Sequence, residues 1–177
     1  MAKTNMVISY THCNYKQNKK IEEEIMARQK NAQRKHFVAP FDPKTPDTVP
    51  DDEAFLRLAK YIETIDDDTD EETDDTGYYD GDGSPEETVT SVSGAYTASG
   101  SYDPDDPAQA LIASKKYEVG DNRRVWHRVV ESNGKKTFTQ VANLSGIKAG
   151  SGDATGYEEF EVKMKWIKKP IETGTTE

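Results

Sequence analysis

A chain of 177 residues with 33% apolar and 32% charged residues has the length of one domain but apolar material for only a thin core. No run approaches the roughly 18 apolar residues of a bilayer span, and the first residues lack the apolar stretch of a secretory signal, so a cytoplasm-like compartment is expected. Cys13 is the only cysteine, which excludes an intramolecular disulfide and any cysteine-based metal site not shared between subunits.

The net charge of -10 is unevenly spread. Lys and Arg number 8 against 3 Asp and Glu in residues 1–36, 3 against 21 in 37–110, and 12 against 9 in 111–177, giving +5, -18 and +3. No basic residue lies between Lys60 and Lys115, whereas Asp66 to Asp75 holds eight carboxylates in ten positions. Such a surface repels nucleic acid, and read on composition alone it is a solvated acidic loop.

In chain order, residues 1–36 read as a basic arm with a solvent-exposed or partner-dependent helix, because Ile21, Ile25 and Met26 are the only large apolar residues from Lys16 to Lys35. Little stable structure is expected for residues 1–30 in an isolated subunit. Residues 37–50, with four of the eight prolines between Pro40 and Pro50, read as an extended connector. The main domain is expected over 51–172, with 173–177 as a C-terminal tail. Phe55, Leu58, Ala59 and Ile62 have helical spacing, while Tyr61, Glu63 and Ile65 equally permit a strand. The glycines and aspartates of Gly77 to Pro85 predict consecutive turns. Thr88 to Tyr102 predicts a strand bent at Gly94 and Gly100, with Val92, Tyr96, Ala98 and Tyr102 on one parity. Asp106 before Pro107 predicts a capped helix to about Lys115. Arg124 to Glu131 and Lys136 to Leu144 predict a hairpin turning at Asn133 and Gly134. Gly146, Gly150, Gly152 and Gly156 predict a flexible connection, followed by a strand that buries Phe160, Val162, Met164 and Trp166 and ends at Pro170. The sum is a mainly β protein, an antiparallel sandwich or barrel with one short flanking helix.

Catalytic and metal chemistry find no foothold in these patterns, so no enzyme activity and no cofactor are expected. A helix-loop-helix calcium site counted from Asp66 puts Glu71 where Gly is needed and Gly77 where a bidentate Glu is needed. His12, His36 and His127 lack zinc-site spacing, and His127 beside Trp126 and Arg128 reads as a surface or interface residue. Phosphate-loop and nucleophile-elbow motifs are missing.

Read together, YIETIDDD (61–68), GYYDGDG (77–83), TVTSVSGAYTASG (88–100), SYDPDDPAQALI (101–112), VGDNRRVW (119–126) and residues 154–166 resemble the major tail, or tail tube, proteins of long-tailed phages of Gram-positive bacteria. The resemblance covers about residues 33–172. It implies a tail-tube β-sandwich whose subunits form stacked hexameric rings around a DNA channel in the virion tail. Synthesis in the host bacterial cytoplasm is implied too, with tape-measure, tail-tip and tail-terminator proteins as partners, DNA as conducted cargo and no membrane. Residues 1–30 fall outside it, as an added arm or as sequence upstream of a start at Met26. Asp66, Asp67, Asp68 and Asp70, with Tyr78 and Tyr79 beside them, are expected at a subunit boundary, since eight clustered carboxylates cannot be buried without cations from elsewhere. Two other readings are a tube protein of a contractile injection or secretion machine, and a stand-alone ligand-binding β-sandwich with Tyr78, Tyr79, Tyr96, Tyr102 and Trp126 as an aromatic platform.

Overall fold

The β-branched and aromatic segments of the sequence form strands, and the computed structural model describes them over residues 29–76, 84–85 and 87–174. They are β1 (Lys35–Pro40), β2 (Leu56–Leu58), β3 (Ile62–Asp67), β4 (Asp70–Asp74), β5 (Thr88–Ser93), β6 (Ala95–Ser101), β7 (Arg124–Val130), β8 (Lys136–Ala149), β9 (Glu159–Trp166) and β10 (Ile171–Gly174), with one α-helix among the described residues, α1 (Pro107–Ser114). The main sheet runs β2-β1-β7-β8-β9-β6-β3, and β4 pairs with β5 separately. Every pairing is antiparallel. Strand β8 organises the sheet: one edge takes β7, while the other takes β10 over Lys136–Thr139 and then β9 over Ala142–Ala149.

The sheet curls into a half-barrel. Three strands separate β1 from β6, a distance of roughly 19 Å in a flat sheet, yet the rings of His36 on β1 and Tyr96 on β6 lie 5.3 Å apart across the concave side. That side holds the main core, with Val38, Leu58, Ala98, Val125, Val129, Phe160, Val162 and Met164. Helix α1 lies against it through Ala108 and Ile112. Its start follows the expected chemistry: Pro107 opens it and the Asp106 carboxylate accepts the Gln109 amide at 3.0 Å. The buried Gln109 side chain then accepts from the Asp103 amide at 2.8 Å and donates to the Lys60 carbonyl at 2.7 Å, fastening the helix to the β2–β3 turn.

Five expectations about the chain's course need correction. Residues 35–40 are neither arm nor connector but strand β1, inside the sheet between β2 and β7. The Pro-rich stretch after it is not a spacer, because Phe41 and Phe55 fold back over the convex face and bury Ala39, Trp126 and Val141. Alternating apolar residues in HFVA, on both faces of β1, are what the proline count obscured. The expected bent strand over 88–102 is two strands in two sheets, divided at Gly94. Strand β8 runs through Gly146 (φ +60°) to Ala149 by way of a bulge, and the chain after Pro170 returns as β10 along β8, so Thr173 and Gly174 are sheet rather than tail. The ambiguous segment around 55–65 is strand on both sides of a tight turn at Ala59–Tyr61. Tyr61 is the one non-glycine residue described with a positive φ (+56°). The turn fits because Gly100 lies beneath it: a Cβ there would overlap the Tyr61 carbonyl.

Candidate assembly surface

The acidic run is a ribbon rather than a loop. Asp66 and Asp67 end β3, Asp68 and Thr69 form a short junction, and Asp70 opens β4. Asp and Glu are poor strand formers, but the partner strands β5 and β6, rich in Thr, Ser and Val, supply what the acidic strand lacks. Their register is continuous. Ser99 faces Thr64 and Tyr96 faces Asp67, then the Asp68 amide bonds the Ala95 carbonyl at 2.9 Å, and Ser93 faces Asp70. The two-stranded sheet is therefore an extension of the main sheet's last hairpin, carried past the end of the core into solvent. All of β4 is exposed, and so is β5 up to Val92.

The carboxylates are solvated and locally bonded. Asp68 accepts the Thr97 hydroxyl and faces the Lys163 ammonium at 3.5 Å. These two partners, the hydroxyl first, hold its carboxyl below the usual range. The Thr76 hydroxyl and amide, at 2.6 and 3.1 Å, do the same for Asp74. Asp66, Asp67 and Asp70 are exposed. Tyr78 and Tyr79 lie outside the described residues.

The strands at the two ends of the curled sheet's order, β2 and β3, have only one neighbour each within it. The seam between them is an open cleft of about 340 Å³ bounded by Arg34, His36, Arg57, Leu58, Glu63 and Ile65. Inside the seam lies a buried polar cluster. Trp166 Nε1 donates to His127 Nδ1 at 3.0 Å. Indole N–H is only a donor, so the proton of neutral His127 sits on Nε2 and points at His36 Nδ1, 3.3 Å away. The Tyr96 ring meets both imidazoles edge-on. Burial, with the Arg34 charge adding and Asp67 opposing, pushes His36 down to about 4. His127, wholly enclosed and beside His36, is held well below its ordinary value. The expectation of a surface His127 fails because it shares the face of Val125 and Val129, both core residues.

At the far end of the β3, β6 and β9 strands, Tyr61 and Tyr157 are 61% and 89% exposed beside Tyr102, around an open cleft of about 780 Å³. The proposed aromatic platform does not exist as a unit, since Tyr96 and Trp126 are buried on opposite faces of the sheet. Phe160, Val162, Met164 and Trp166 are all buried. Among the described residues no three His, Cys, Asp or Glu side chains are placed to hold a metal ion, and no helix is long and apolar enough to cross a membrane. Sequence reasoning missed the exposure of Val89 and Val92 on β5. Their spacing of three, in a segment of period two, was the available signal.

The sequence matches no protein-family model and no curated protein at a significant level. Solved structures do match. The tail of an empty gene transfer agent particle, refined helically with C6 symmetry, is 14% identical, with 84% of this chain and 100% of that chain covered and a TM-score of 0.57. A chain of the virion of a native gene transfer agent particle gives 12% identity, 83% and 100% coverage and a TM-score of 0.61. The SPP1 tail tube gives 13% identity, 85% and 81% coverage and a TM-score of 0.57. The curled antiparallel half-barrel, with one α-helix among the described residues, thus has the fold of tail-tube proteins.

Proposed function

We propose that this chain is a non-enzymatic structural protein of the virion, whose copies associate into hexameric rings that stack into the tail tube of a long-tailed phage, with DNA passing through. The observation that carries the reading is the ribbon, a paired extension of the sheet that leaves the core and exposes both edges. Open edges and exposed apolar strand residues are liabilities in a free monomer, and symmetric assembly gives them a use. The C6 symmetry of the similar gene transfer agent tail supports six copies to a ring. The sequence motifs support a phage of Gram-positive bacteria, synthesis in the host cytoplasm, and tape-measure, tail-tip and tail-terminator proteins as partners. Asp66, Asp67, Asp68 and Asp70, with Tyr78 and Tyr79, belong at the subunit boundary, where residues 1–36 and 111–177 of neighbours carry the net positive charge. A carboxylate-rich channel would offer DNA no phosphate contacts to slow it. Size-exclusion chromatography and electron microscopy of the purified protein test the reading. Tubes or stacked rings are expected, and a strict monomer at every concentration overturns it.

A further inference from the structure

The two faces of the ribbon differ, and a β-bulge makes them differ. Asp70 faces Ser93, Glu71 faces Val92 and Glu72 faces Ser91; then Thr73 faces Val89 and Asp74 faces Thr88, so Thr90 is the extra residue. Residues directly opposed in an antiparallel pair share a face. In a regular strand Val89 and Val92, three apart, would point to opposite sides. The bulge returns them to one side, with Glu71 and Thr73. The other side carries Asp70, Glu72 and Asp74 opposite Ser93, Ser91 and Thr88, and the Ser91 hydroxyl reaches Glu72 Oε2 at 3.1 Å.

Because the register runs unbroken through the junction, each face continues one face of the main sheet. The carboxylate row Asp66, Asp68, Asp70, Glu72, Asp74 prolongs the polar side on which Thr97 and Lys163 oppose one another. The valine side prolongs the side that buries Tyr96 and Ala98. That core stops at Trp166, whose indole occupies the space a Cβ of Gly94 would need. Past it Val92 and Val89 remain 59% and 50% exposed.

We infer that the valine side of the ribbon is a docking surface for a second copy of this chain, an apolar contact in which the carboxylate side takes no part. The inference rests on the tube reading and adds which side of the ribbon is covered. A second copy is the occupant because the chain carries an apolar complement at the opposite end of the same strands. Tyr61 precedes β3 and Tyr157 precedes β9, both exposed, so head-to-tail copies bring tyrosines and valines together. A heterologous contact of this kind propagates along an axis rather than closing in a pair.

The test compares three variants with wild type by sedimentation and electron microscopy. Val89→Ser with Val92→Ser is expected to keep the monomer's circular dichroism and melting midpoint and to raise the concentration needed for tubes roughly ten-fold or more, the equivalent of about 1.4 kcal/mol of lost contact. Tyr157→Ser is expected to act in the same direction. Asp70→Asn with Glu72→Gln and Asp74→Asn is expected to form tubes still. Wild-type tubes whose assembly the valine variant leaves unchanged overturn this inference alone, as does a valine variant whose monomer fails to fold. Unchanged assembly of Tyr157→Ser overturns the head-to-tail arrangement. If wild type forms no tubes, the tube reading falls, and a self-association lost in the valine variant would separately uphold the docking side.

Discussion

Acid should loosen this fold well above the range where its carboxylates titrate, and His36 gives the size of the effect. Its folded value of about 4 lies below the ordinary 6.5 of an unfolded chain. Between those values the unfolded state binds a proton that the folded state refuses, so stability is fully present above about pH 6.5 and is lost as pH falls towards 4. At pH 5 an unfolded His36 is almost wholly protonated and a folded one about one-tenth so, which removes about 2 kcal/mol relative to pH 7. In a domain of this size that is a fall of about 4 to 8 °C in the melting midpoint. His127 acts in the same direction, because it too is buried neutral. The groups facing the pair are Arg34, which opposes protonation of His36, Asp67, which favours it, and the uncharged rings of Tyr96 and Trp166. The assay is thermal or urea unfolding at half-unit steps from pH 7.5 to 5, with wild type beside His36→Gln. Wild type should lose stability over this window and the variant markedly less. Equal slopes for the two, or a flat wild-type profile down to pH 5, would show that these imidazoles are not buried neutral and would refute the argument.

Other changes test separate parts of the fold. Trp166→Ala should cost about 3 to 5 kcal/mol in equilibrium unfolding, since it removes a buried indole and the donor to His127; an unchanged midpoint would exclude a core role. Gly100→Ala should destabilise by about 1 to 3 kcal/mol or more, because its Cβ overlaps the rigid Tyr61 carbonyl, and a neutral result would mean the β2–β3 turn is not seated there. Replacing Asp66, Asp67, Asp68 and Asp70 by Asn should leave the monomer folded but alter the salt dependence of tube formation, followed by light scattering. Wild-type behaviour from low to high salt would remove these carboxylates from the subunit boundary.

Where one local rule dominated, the sequence was readable. Asp106 and Pro107 announce helix α1, Asn133 and Gly134 announce the β7–β8 turn, where Gly134 has φ +71°, and four alternating apolar residues announce β9. Where two rules competed, composition misled. Prolines at 40, 43, 46 and 50 hid β1 and the packing of Phe41 and Phe55, because a proline count registers what backbone is forbidden and not what side chains cover. Eight carboxylates made a ribbon look like a loop, since strand formation there is decided by the partner strand and not by the acidic one. The bulge at Thr90 was visible only as a spacing that did not fit. Burial of His127 was not readable from its neighbours, because Trp126 beside it is buried too, on the other face.

The segment from Phe41 to Phe55 also bears on where the chain can be shortened. A trimmed version beginning at residue 51, the natural choice if the prolines marked a hinge, would remove β1 from between β2 and β7 and leave β2 with no neighbour. It would also uncover Trp126 and Val141 on the convex side and take His36 from its partner His127. Shortening is compatible with the sheet only upstream of Lys35, so the smallest unit that can fold starts before the prolines and carries them as part of its shell.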